Sequence, residues 1–267
     1  LNYNGVNMYR EKTDGTTPEK EYNENIIFGR NPVMEALKSG KEIDRLLVAH
    51  GAGGGTIAAI IAKCSERGIL IKEISPQKMD YFCSHNNHQG VAVMLAAREY
   101  SSVDDILKTA EERNETPFII ICDEIEDPHN LGAIIRTAEC CGVHGIIIPK
   151  RRSASLNPTV AKTSAGALEY MKVARVTNIA NTIDLLKSKG VWVFGADMDG
   201  EDFKRTDYTV PCAIVIGNEG KGIGALTAKK CDKIISLPMR GKINSLNASV
   251  AAGLLMYEVF RNRNQCG

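Results

Sequence analysis

From Pro117 onward, short apolar runs alternate with stretches of helical periodicity, a pattern that few folds accommodate. The runs Phe118–Cys122, Gly145–Ile148, Val173–Val176, Val191–Ala196, Ala213–Ile216 and Ile234–Leu237 read as strands. Helical spacing falls near Leu131–Cys141, Pro158–Ala165, Ile179–Lys189, Ala225–Lys230 and Ser245–Arg261. Strands apolar throughout are those covered on both faces, so residues 117–267 are expected to form an α/β domain. Its parallel sheet would be flanked by helices.

At 267 residues the chain has room for a second domain. Residues 24–97 supply one, a smaller α/β/α unit with strands at Ile26–Phe28, Arg45–Ala49, Ile69–Ile74 and Val91–Leu95. Its helices are expected after Asn31-Pro32, over Thr56–Cys64 and over Pro76–Phe82. Residues 98–116 are charged and read as a linker with one helical stretch at Val103–Arg113. Residues 1–23 are polar, lack periodicity and read as a flexible tail.

Composition excludes several classes. A net charge of +1 gives no global attraction for nucleic acid, so any RNA contact must be local. The longest apolar runs are strand-sized, and the first residues lack a signal-peptide core. A cytoplasmic, membrane-free protein is expected. Eight cysteines include no CxxC pair and no histidine at zinc-finger spacing, which points to buried thiols and no metal.

Polar chemistry gathers in three segments at strand ends, where open α/β sheets bind ligands. They are DPHNLGAIIR at Asp127–Arg136, IVIGNEGKGIG at Ile214–Gly224 and INSLNASVAAG at Ile243–Gly253. In the first, Asn130 reads as a helix N-cap, Arg136 falls off the apolar stripe, and the preceding acids compensate the helix dipole. The second spends four glycines on eight residues around Glu219, which suits a sharp turn or a close ligand. The third places Ser245 and Asn247 at the start of a helix whose Ala248, Ala251, Ala252 and Gly253 allow close packing. The glycine cluster Gly51–Gly55 resembles a dinucleotide turn, but Thr56 stands where the third glycine belongs, so it reads as a flexible connection. Lys221 is followed by Gly222, which rules out a phosphate-binding P-loop.

In order, NxGxxxR, IGxEGxG and SLNxSVAxG resemble the three motifs of the SpoU (TrmH-like) RNA 2′-O-ribose methyltransferases across residues 117–262. Ile26–Leu37 and His88–Val93 are similar to the ribosomal-protein-like RNA-binding domain of the branch that methylates a guanosine in 23S ribosomal RNA. The resemblance implies a trefoil-knotted C-terminal domain, a homodimer and S-adenosylmethionine as cofactor. Carried onto this chain, Gly217, Asn218, Gly220, Leu237 and Leu246 would contact the cofactor. Asn130, Arg136, Glu219, Ser245 and Asn247 match the family's functional polar positions.

The implied reaction is an in-line displacement in which a ribose 2′-oxygen takes the sulfonium methyl. Because a guanidinium holds its proton, Arg136 reads as a cation for phosphate and developing oxyanion rather than as the base. The RNA-contact candidates are Lys150, Arg151 and Arg152 after the strand Gly145–Ile148, with Arg30, Asn31, His88 and Gln89 in the first domain. Ribosomal RNA is the expected partner. Transfer RNA remains open, as do a non-catalytic RNA-binding assembly factor and, through the Gly51–Gly55 cluster, a nicotinamide-dependent oxidoreductase.

Overall fold

The computed structural model describes residues 9–10, 25–242 and 245–264, which form two compact units. One runs through Glu99 and takes in Ser155–Pro158; the other comprises Tyr100–Ala154 and the chain from Thr159.

The first unit contains β1 (Tyr9–Arg10), β2 (Ile26–Phe28), α1 (Arg30–Lys38), β3 (Ile43–Ala49) and α2 (Gly55–Glu66). It continues with β4 (Leu70–Ile74), α3 (Pro76–Phe82) and β5 (Val91–Leu95). The strands form a mixed sheet in the order β1-β4-β3-β5-β2, with β5 antiparallel to β3 and β2. Alternation along β3 divides the core. Leu46 and Val48 pack under α1 and α2, while Leu47 and Ala49 meet Met79 and Phe82 of α3. The α/β/α layering is thus present. Residues Tyr9–Arg10 pair with Lys72 and Glu73 as a parallel edge strand, which corrects the tail reading at those two positions. The rest of 1–23 lies outside the described residues.

The second unit contains α4 (Val103–Arg113), β6 (Phe118–Cys122), α5 (Pro128–Cys140), β7 (Gly145–Pro149), α6 (Pro158–Thr163) from its second residue on, and β8 (Val173–Val176). Then come α7 (Ile179–Ser188), β9 (Trp192–Asp202), β10 (Cys212–Ile216), α8 (Ala225–Lys230), β11 (Lys233–Ser236) and α9 (Ala248–Asn264). All six strands are parallel, in the order β11-β9-β10-β6-β7-β8. Every residue of β6 is buried, as a central parallel strand requires. Its Ile119 and Ile121 join Ile183 and Leu186 of α7 on one face. The other face carries α9, packed on β10 and against α5.

Helix α4 falls inside the stretch read as a linker, yet Val103 and Ile106 belong to this core. Ser102 and Asp105 form a reciprocal capping box that starts it, and Asn114 ends it in the left-handed conformation. Charged residues on its outer face hid this buried stripe. Strand β9 also exceeds its expected end at Ala196, because β11 pairs first with Phe194 and Gly195 and then, after a register shift, with Glu201 and Asp202. Gly200 makes that approach possible, since a Cβ there would lie 2.6 Å from the Ile235 backbone.

The thiols behave as small core groups. Cys64, Cys83, Cys122, Cys141 and Cys212 are buried and free, and burial pushes the Cys122 thiol up to about 12. Cys140 is exposed, and Cys266 lies outside the described residues. Among the described residues no acidic, cysteine or histidine cluster can hold a metal, and no helix is long and apolar enough to cross a membrane.

Candidate active site

The site lies beyond the C-terminal ends of β6 and β10 and beside the middle of β9, where a parallel sheet leaves its loops free to hold a ligand. Helix α5 begins earlier than its periodicity suggested. Asp127 is the N-cap, accepting from the His129 N–H at 2.9 Å, and Pro128 occupies the first turn. Asn130 is therefore not a cap but a buried residue inside the helix, and its carboxamide is available elsewhere.

It is used to join three chain segments. Asn130 Nδ2 donates to Glu219 Oε1 at 2.7 Å, and Asn247 Nδ2 donates to the same oxygen at 2.6 Å. Asn247 Nδ2 also reaches Asn130 Oδ1 at 2.9 Å, and the Ala248 N–H reaches Glu219 Oε1 at 3.3 Å. Glu219 Oε1 thus receives three N–H donors, the charge-assisted arrangement that holds loops firmly. The other end of Asn247 caps α9, its Oδ1 accepting from the Ser249 and Val250 N–H groups at 3.0 and 3.3 Å. For this reason α9 starts at Ala248, and Ser245 precedes the helix without capping it. The small residues at its start face partly inward: Ala248 and Ala252 are buried, and a Cβ on Gly253 would meet Thr137 of α5 at 3.8 Å.

The glycine loop after β10 folds back on itself. Asn218 and Gly222 exchange backbone hydrogen bonds of 3.0 and 2.8 Å, and Asn218 Oδ1 accepts from the Gly220 N–H at 2.9 Å. A Cβ on Gly217 would collide with the Gly222 backbone, so the turn requires glycine there. Beside it opens a cavity of about 220 Å³. Gly217, Asn218, Glu219, Gly220, Leu237, Ser245 and Leu246 all line it. Leu237, Leu246 and Met239 give it an apolar side, while the turn and Asp197 give it a polar one. Such a mixed, backbone-rich cleft suits an amphiphilic cofactor with an aromatic ring and a charged end.

Sequence reasoning missed Ala196, Asp197, Met198 and Met239 in that lining. Ala196 is the last residue of the expected strand, and Asp197 and Met198 lie past it, where β9 turns acidic and the apolar pattern that marks a strand has ended.

The remaining candidates are not among the residues lining the cavity. Arg136 is exposed on α5 and makes no hydrogen bond or ion pair among the described residues. Lys150, Arg151 and Arg152 follow β7, with Arg152 Nη1 paired to Glu124 Oε1 at 2.8 Å. In the first unit the Arg30 guanidinium is turned inward, donating to the carbonyls of Gly53 at 3.2 Å and Gln89 at 3.3 Å. Gln89 Oε1 accepts the Arg30 N–H at 3.0 Å, and Asn31 is exposed beside it. His88 takes the Gly90 N–H on Nδ1 at 2.9 Å, which leaves Nε2 to donate to Asp80 at 2.9 Å.

Fold and site together define an α/β enzyme with a candidate ligand cleft at the mouth of a parallel sheet. Residues 117–257 match the SpoU rRNA Methylase family, and residues 26–101 match a family described as RNA 2′-O ribose methyltransferase substrate binding. YacO of Bacillus subtilis, assigned to the TrmH family of tRNA/rRNA methyltransferases, is 51% identical over 242 residues, covering 90% of this chain and 97% of that one. An AdoMet-bound rRNA methyltransferase from Sinorhizobium meliloti is 26% identical with a TM-score of 0.55, covering 88% of this chain and 86% of its own. A TrmH/SpoU tRNA-modifying enzyme from A. aeolicus is 26% identical with a TM-score of 0.53, and covers 61% of this chain and 86% of its own. The chain belongs to the SpoU rRNA Methylase family, and by that membership it is an RNA methyltransferase.

Proposed function

We propose that this chain methylates a ribose 2′-hydroxyl of ribosomal RNA, with a guanosine of 23S RNA as the favoured target. S-adenosylmethionine is the cofactor of this family, and bound in the cleft it would supply an electrophilic methyl on a sulfonium. The observation that carries the reading is the Asn130–Glu219–Asn247 triangle, which ties all three motif segments together at the cleft. Gly217, Asn218 and Gly220 would hold the cofactor through backbone, with Leu237 and Leu246 against its apolar part. Asn130, Glu219 and Asn247 would fix the loops, and Ser245 would face the substrate side. Arg136, exposed and held by no carboxylate among the described residues, would meet an RNA phosphate and the charge growing on the 2′-oxygen.

Ribosomal RNA is favoured over transfer RNA by the first unit. The A. aeolicus tRNA-modifying enzyme covers only 61% of this chain, whereas the S. meliloti rRNA methyltransferase covers 88%. Residues 24–97 would then be the RNA-binding domain, 98–116 the connection and 117–267 a knotted catalytic domain. A homodimer is supported by α9, where Val250, Leu254 and Tyr257 form an exposed apolar stripe at helical spacing, with Phe260 beside it. The reading includes a cytoplasmic location.

The test is labelled methyl transfer to total RNA from a deletion strain, followed by mapping of the product. Label on a 23S ribose is expected; label on a base or on transfer RNA overturns the reading. In single-turnover assays with both substrates saturating, Arg136→Lys and Arg136→Ala should each slow transfer at least about tenfold. Near-normal rates in both would remove Arg136 from the chemical centre.

A further inference from the structure

Glu124 carries a side chain yet has a φ of +60°, in the left-handed region that residues with a Cβ adopt only when their surroundings hold them there. Its surroundings do. Arg152 Nη1 grips its carboxylate at 2.8 Å. The positive φ turns its carbonyl toward Asn218, whose Nδ2 donates to it at 3.1 Å. The neighbouring residues are tied as well: Asp123 Oδ2 accepts from the Gly224 N–H at 3.0 Å, and the Ile125 carbonyl accepts from the Ala154 N–H at 2.8 Å.

These four bonds have a pattern. Asn218 and Gly224 lie in the glycine loop beside the cleft, Arg152 belongs to the basic stretch after β7, and Ala154 follows it two residues on. The segment Asp123–Ile125 therefore clasps the loop at both ends and anchors the clasp on the basic stretch. Dipole compensation, the reading these acids receive from sequence, does not describe what they do: Asp123 spends a carboxylate oxygen on Gly224, and Glu124 spends its carboxylate on Arg152.

We propose that the left-handed turn at Glu124, locked by Arg152, is a positioning element for methyl transfer that sets Asn218 and the glycine loop for the cofactor. Glu124 acts through Asn218 and is not among the residues lining the cleft. The inference rests on reading the cleft as the S-adenosylmethionine site. It also makes one strained residue common to the cofactor loop and to the basic stretch offered to RNA.

Backbone and charge separate by substitution. Glycine enters the left-handed region freely, so Glu124→Gly keeps the carbonyl aimed at Asn218. Glu124→Gln keeps the unfavourable Cβ and loses the ion pair. Glu124→Val, β-branched, opposes the turn outright. Calorimetric titration of the full chain with S-adenosylmethionine should place Glu124→Gly within about twofold of wild type, Glu124→Gln about threefold weaker and Glu124→Val at least about tenfold weaker. Thermal melting by circular dichroism shows whether Glu124→Val is folded; if it is not, the order of the glycine and glutamine variants decides. Equal affinities in the folded variants, or glycine weaker than glutamine, would overturn the proposal while leaving the function standing. No binding by the wild type would remove the function and this inference with it.

Discussion

Two glycine-rich loops in this chain share one local plan, and only one of them lines the candidate cleft. Gly51–Gly55 and Gly217–Gly224 each follow a strand and lead into a helix. In the first, Gly51 and Gly54 have positive φ, and Arg30 braces Gly53 through a single side chain. A Cβ on Gly51 would meet nothing within 4 Å, so that glycine serves backbone direction alone. In the second, a Cβ on Gly217 would strike the Gly222 backbone, and polar groups arrive from Asp123, Glu124, Asn130 and Asn247. Glycine density marks a place where the chain bends. Whether the bend is a site depends on what distant segments bring to it.

That contrast can be broken most directly at the groups that arrive. Glu219→Ala leaves buried Asn130 and the start of α9 without their shared acceptor, a loss of about 1.5–3 kcal/mol for charge-assisted bonds. Cofactor affinity measured by calorimetry should fall about 10–100-fold, whereas Arg30→Ala in the other loop should leave it unchanged. Loss of cofactor binding in Arg30→Ala would erase the distinction. Next in size is the glycine pair. Gly217→Ala must open its turn and should weaken the cofactor about tenfold. Gly51→Ala adds only the left-handed penalty of about 1–2 kcal/mol, seen as a lower denaturation midpoint with cofactor affinity intact.

The smallest effect lies outside both loops. His144 is buried, accepts the Phe118 N–H on Nδ1 at 3.0 Å and bonds Glu115 at 2.9 Å through Nε2. Burial lowers its pKa below the usual 6.5, with the Glu115 contact opposing. The unfolded chain then binds the proton more readily, so stability contributed by His144 is present above the unfolded value of about 6.5 and is lost as pH falls below it and through the lower folded value. Melting temperatures between pH 7.5 and 5.5 should fall less steeply in His144→Gln than in wild type. Parallel slopes would show that His144 does not titrate against the fold.

Much was legible before any coordinates. The apolar runs located β6, β7 and β10 because strands covered on both faces can hardly be anything but apolar. Motif order identified the residues that meet, since Asn130, Glu219 and Asn247 do share one cluster of hydrogen bonds. What was hidden involved partners far away in sequence. Asn130 looked like a cap because a cap and a helix-interior asparagine differ only in where the helix begins, and Asp127-Pro128 made that choice. Helix α4 looked like a linker because its charged face outweighed its short buried stripe. The acidic end of β9 carried no strand signal, being paired through a register shift that no local pattern encodes.

By itself, then, the sequence determined the layered α/β architecture and the chemical inventory of the site, because periodicity and side-chain type are local properties. Tertiary structure alone decided that Arg152 would answer Glu124, that Asp123 and Glu124 would clasp the glycine loop, and that Glu219 would receive three donors. Hydrogen bonds 28 to 101 residues apart in the chain depend on how strands are ordered in the sheet, and no single segment carries that order.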